Sequence, residues 1–162
     1  MLTLAASAYE VVMAVHITAV VAAFGVTFAY PIMFVLAARS EPRSLPLIYR
    51  IEYSIERMLV NPALLLVILA GVYLASEGHH WSEFFVQWGL GVAVVIGAVV
   101  GSVLIPTAKR AETAAARDIA ASGEGEVVLS EESRRLARRL STVGGLLSLL
   151  VVITILFMVI KP

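Results

Sequence analysis

Four long runs of the chain contain no charged side chain: residues 11–38, 58–76, 84–108 and 140–160, of 28, 19, 25 and 21 residues. Charged and polar positions gather between them. A hydrocarbon core of about 30 Å is crossed by about 20 helical residues at 1.5 Å each, so each run predicts a transmembrane helix. With their flanks the predicted spans cover about 8–38, 54–76, 83–108 and 136–160 of a single membrane domain, 1–162. The polar segments 39–57 and 109–139 and a short hairpin, 77–83, join them. The expected fold class is an all-α integral membrane four-helix bundle. The first run is read as a retained span rather than a signal peptide. No Lys or Arg precedes Arg39, and the run exceeds the ~7–15 apolar residues of a signal h-region.

The finer pattern predicts structure between the spans. Pro42 and Pro46 should break the first helix, and LIYRIEYSIERM then mixes apolar and charged residues at helical spacing. That stretch either lies at the membrane interface or extends the second helix. TAKRAETAAARDIAA predicts a second polar helix, which breaks at SGEGE and restarts at Ser130. The Ser130 hydroxyl is a suitable N-cap, and Glu131 and Glu132 suit the positive end of the helix dipole. Pro31, Pro62 and Pro106 each remove a backbone donor and should kink or end their helices. Gly89, Ala93, Gly97 and Gly101 recur every four residues in the third span. Such a smooth ridge serves close packing within the bundle, a homo-oligomer, or a larger membrane complex.

Composition agrees with the pattern. The chain is 60% hydrophobic and 15% charged, with mean hydropathy +0.93, against about 45–50% apolar residues in soluble domains. Net charge is zero, but its placement is informative. Eleven of the twelve Lys and Arg residues lie in the two long polar segments, and the twelfth is Lys161. The positive-inside rule makes those segments cytoplasmic and puts both termini and the hairpin outside. The expected location is the inner (cytoplasmic) membrane, multi-pass, with a helical cytoplasmic insert between spans three and four. The basic residues read as a solvated surface in contact with the lipid bilayer, with no nucleic acid as partner. The absence of cysteine excludes disulfides, thiolate metal sites and cysteine nucleophiles.

Candidate chemistry centres on His16, which sits in the apolar stretch AVHITAVVAAFG. Polar groups inside a bilayer are costly and face the bundle interior. Three readings stand open: a structural hydrogen bond, ligation of haem or a metal ion, and proton relay. His79 and His80 lie in the hairpin and Gln87 one turn into the third span, all on the side of His16; Tyr9, Glu10, Glu77, Trp81 and Glu83 complete an outer polar ring. The cofactor-binding set is therefore His16, Gln87 and Tyr9, and the metal set His16, His79 and His80. No paired carboxylates lie inside the spans, and HExxH, GxSxG and phosphate-binding glycine loops are missing.

The stretch VHITAVVAAFGVTFAYPIMFVLAAR resembles the first helix of a group of small bacterial four-helix membrane proteins, with His16 followed by Gly25 and then Phe28 and Tyr30. IERMLVNPALLLVILAGVYLA resembles their second helix through Arg57, Pro62, Gly71 and Tyr73, and FMVIKP resembles the tail of their uncharacterised integral-membrane branch. The group includes HemJ-type protoporphyrinogen oxidase and the CopD copper-resistance family. The resemblance implies haem b with His16 as ligand and, for the HemJ branch, an oxidoreductase. That branch carries a lysine near the outer start of its third helix, where WSEFFVQWGLGV offers only Gln87. The functional expectation is a membrane protein binding haem b or a metal ion through His16 and linked to redox chemistry. The alternative is a non-catalytic accessory or assembly subunit of a larger membrane complex, and a small transporter stands third; haem b, a metal ion and no cofactor all remain open.

Overall fold

The computed structural model describes residues 7–161. Seven α-helices occur in chain order: α1 (Ala8–Gly25), α2 (Tyr30–Ser40), α3 (Leu45–Ile55), α4 (Asn61–Glu77), α5 (Phe84–Val99), α6 (Ile105–Ala121) and α7 (Glu131–Ile160). Most are joined end to end, so the chain forms four rods, Ala8–Ser40, Pro42–Glu77, Phe84–Ala121 and Glu131–Ile160. All four are long and apolar enough to cross a membrane. The fold class is all-α, with no strand among the described residues. The rods do not stop where the apolar runs stop. Rods of 36 and 38 residues are about 54 and 57 Å long, well beyond a ~30 Å core. LIYRIEYSIERM thus extends the second membrane helix rather than lying apart from it.

Local chemistry sets the ends and irregularities. At the start of α1, the Ser7 hydroxyl accepts from the Glu10 N–H and the Glu10 carboxylate accepts from the Ser7 N–H at 2.8 Å, a reciprocal capping box. The rod breaks after Ser40, where Glu41 leaves helical geometry and Pro42 follows. Ser130 caps α7 by accepting from the Ser133 N–H at 3.2 Å. The three prolines change the turn before them rather than ending their rods. A short 3₁₀ turn, Val26–Phe28, precedes Pro31. π-turns, Glu56–Val60 and Val100–Leu104, precede Pro62 and Pro106. In those turns Asn61 donates to Glu56 O and Ile105 to Val100 O, five residues back. A proline ring collides with the carbonyl four residues behind it, and a turn widened by one residue relieves the collision.

Packing differs at the two ends. On the basic side, Ala37, Leu45, Tyr49, Ala111 and Ala115 form a buried core, covered by Phe34, Ile48, Leu129, Leu136 and Leu140. The polar ends of α2, α3, α6 and α7 thus build a small bundle of their own. Arg43 fastens its loop by donating to the carbonyls of Gly123 and Gly125, at 2.6 and 2.8 Å. Across the apolar region α1 packs on α4 and α5 on α7. Ala19, Ala23, Ala63 and Ala70 are buried there, small side chains that let helix backbones approach closely. Large apolar side chains such as Val21, Ile32, Leu69, Val94 and Val159 remain exposed, which suits contact with lipid and not with water.

Candidate functional site

Between the α1–α4 pair and the α5–α7 pair, on the hairpin side, lies a cavity of about 470 Å³. Tyr9, His80, Trp81 and Lys161 line its mouth end, and Phe24, Val92, Ile96 and Val151 its deep end. Phe24 closes that end by packing on the Val92–Ile96–Val151 cluster of the opposite pair. The α5–α7 wall is held by Trp88, whose indole N–H donates to the Thr154 hydroxyl at 3.0 Å, and by Phe157 at 5.2 Å between ring centroids.

His16 lies in the wall, half-buried, with Nδ1 3.0 Å from the Val67 carbonyl. A carbonyl only accepts, so Nδ1 carries the proton in this contact and Nε2 keeps its lone pair. Nε2 has no hydrogen-bond partner among the described residues. Gly71, one turn beyond Val67, provides the clearance, since a Cβ there would lie 3.3 Å from His16 Cε1. The structural hydrogen bond and an available ligand atom therefore coexist on one imidazole. A backbone acceptor on the far nitrogen is also the usual way a metal-binding histidine is oriented.

The other expected site residues divide. Tyr9 and His80 reach the cavity lining. Gln87 does not: its amide donates to Trp81 O at 3.2 Å and staples the hairpin onto α5. His79 is exposed at φ 55°, with Nδ1 3.1 Å from Glu77 O. Among the described residues no three His, Cys, Asp or Glu side chains come together, so His16, His79 and His80 do not converge. Gly89 and Ala93 of the ridge line the cavity, and a Cβ on Gly89 would run into the Met158 methyl of α7. Gly97 and Gly101 are exposed, with open space where a Cβ would stand.

Two features had no signal in the sequence pattern. Lys161 takes a left-handed turn at φ 51° and sets its ammonium 5.6 Å from the centroid of the Phe85 ring at the cavity mouth. A lone cation in a tail has no periodicity that aims it. Farther toward the basic side, Tyr30 Oη and Glu52 Oε2 are buried with no hydrogen-bond partner among the described residues. Glu52 falls in a linker by its charge pattern, and only the packing of the rods encloses it.

Residues 10–162 match the family described as predicted integral membrane protein, DUF2269. The chain belongs to that family. No curated protein and no solved structure matches it. As a DUF2269 member with four apolar rods, it is a small polytopic integral membrane protein in contact with the lipid bilayer.

Proposed function

We propose that this DUF2269 protein binds haem b in the hairpin-side cavity, where His16 Nε2 would hold the iron. The observation that carries the reading is the His16 imidazole itself. Its tautomer is fixed by Val67 and its second nitrogen has no partner among the described residues, in the wall of an apolar cavity within the 300–1,000 Å³ range of ligand sites. The donor set fits the group: a neutral imidazole suits haem iron, and apolar walls suit a porphyrin face. Lys161, at the end of α7, supplies a cation at the cavity mouth for an acidic ligand edge. The likeness to the HemJ and CopD group, carried by His16, Gly25, Pro62 and Gly71, agrees with this reading. When bound, haem would supply a one-electron iron centre. The residues of the chain would hold it, shield it from water and fix the ligand tautomer. A metal ion held by His16 without a porphyrin is supported less well, because among the described residues no group of three His, Cys, Asp or Glu side chains gathers there.

The reading places both basic segments in the cytoplasm and the cavity in the outer leaflet of the inner membrane. A role as a non-catalytic subunit of a larger complex has one observation in its favour, the open face at Gly97 and Gly101. The test of the haem reading is a visible spectrum of purified protein expressed with ample haem. A Soret band lost in His16→Ala is the expected result. Colourless wild-type protein would sink the proposal.

A further inference from the structure

We infer that the basic end of α7 is a headgroup site for an anionic phospholipid of the adjoining leaflet. Glu131, Arg134, Arg135 and Arg138 line a hollow of about 410 Å³ on the outer face of α7. All four are exposed. Among the described residues none of these arginines has a carboxylate within ion-pair distance, whereas Arg50 and Arg117 have Glu112 and Glu132. The hollow therefore carries three unneutralised guanidinium groups against one carboxylate.

Two further observations point to lipid as the occupant. From Arg138 to Lys161 is 23 residues, or about 34 Å of helix at 1.5 Å per residue, against a hydrocarbon core of about 30 Å. Arg138 and Lys161 thus fall in opposite headgroup layers, with Arg134 and Arg135 about one turn farther out. At 100° per residue the face bearing Arg138 continues through Gly145, Leu149, Val152, Leu156 and Ile160. The four large residues of that set are 58%, 40%, 50% and 67% exposed. The buried residues of α7, Ser133 and Val151, lie on the opposite side. The arginines therefore stand directly above a lipid-facing stripe. Gly145, with open space at its Cβ position, leaves a saddle for an acyl chain beneath them. Guanidinium groups bind phosphate oxygens bidentately, and juxtamembrane basic residues attract anionic lipid.

The test compares purified wild type with Arg134→Gln/Arg135→Gln/Arg138→Gln by native mass spectrometry, using phosphatidylglycerol, cardiolipin and phosphatidylcholine in mixed micelles. Wild type is expected to retain the anionic lipids in preference to phosphatidylcholine. Retention should fall about fivefold for each arginine neutralised. Arg39→Gln/Arg110→Gln, which alters basic residues elsewhere on the same side, should retain them as wild type does. Equal retention of zwitterionic lipid by wild type, or an unchanged preference in the triple variant, would overturn the inference. Displacement of the lipid by millimolar inorganic phosphate would overturn it too, since the site would then be a free-anion site. A melting temperature of the lipid-free triple variant matching that of wild type assigns the loss to binding rather than misfolding.

Discussion

Asp118 accepts three hydrogen bonds on one carboxylate oxygen, from the Ser130 N–H, the Ser130 hydroxyl and the Ser133 hydroxyl, at 2.8, 2.7 and 2.6 Å. Burial alone would raise its pKa. The bonds from Ser133 and Ser130, with Arg117 alongside, outweigh that and hold the carboxyl at about 2. The value is depressed from an ordinary ~3.9, so the stabilisation is complete above about pH 4 and is lost as pH falls through 2. Asp118→Ala is expected to lower stability by about 2–3 kcal/mol at neutral pH, because it strips charged acceptors from buried hydroxyls. In thermal melts the gap between wild type and variant should stay constant above pH 4 and close below it; a constant gap down to pH 2 would contradict the assignment. At His16 a smaller change is informative. Gly71→Ala places a Cβ 3.3 Å from Cε1, so the ring must move by a few tenths of an ångström and its bond to Val67 must lengthen. The expected outcome is a weakened or shifted Soret band with a nearly unchanged melting temperature. Gly97→Ala, which meets nothing within 4 Å and lies outside the cavity lining, should leave the spectrum intact.

At the scale of elements, the Ser130 cap and the break at SGEGE were readable because capping and turn formation depend on nearby residues alone. Ser130→Ala should cost about 1–2 kcal/mol, toward the upper end because the same hydroxyl also serves Asp118. A loss under 0.3 kcal/mol in a denaturation series would show that the cap contributes little. The fate of α3 was not readable. Its amphipathic pattern fits a helix lying on a membrane as well as one packed on a protein partner, and only the burial of Leu45 and Tyr49 with Ala111 and Ala115 decides between them. The prolines were half readable. A missing N–H and a ring clash are local facts, but whether the rod breaks or widens into a π-turn depends on what holds its two ends in line.

At the scale of the whole molecule, the rods are clamped at the basic end by a buried core and separate at the hairpin end around the cavity. A reporter fused at Gly123, in the loop between α6 and α7, is expected to read as cytoplasmic, and one at Gly78 as external. Reversal of both signals would put the cavity in the opposite leaflet and refute the proposed orientation.

The sequence by itself determined the number of membrane helices, the pairing of charge with one side and the presence of one intramembrane histidine. These follow from hydrophobic length and charge placement, which act along the chain and need no partner. Tertiary structure alone decided that His16 bonds to Val67 and still offers Nε2, and that Tyr9, His80 and Lys161 join it while Gln87 and His79 do not. It also decided that Asp118 ties α6 to α7. Those outcomes depend on how each helix is rotated about its axis, and in a hydrocarbon solvent that rotation is set by close packing between helices rather than by any pattern within one.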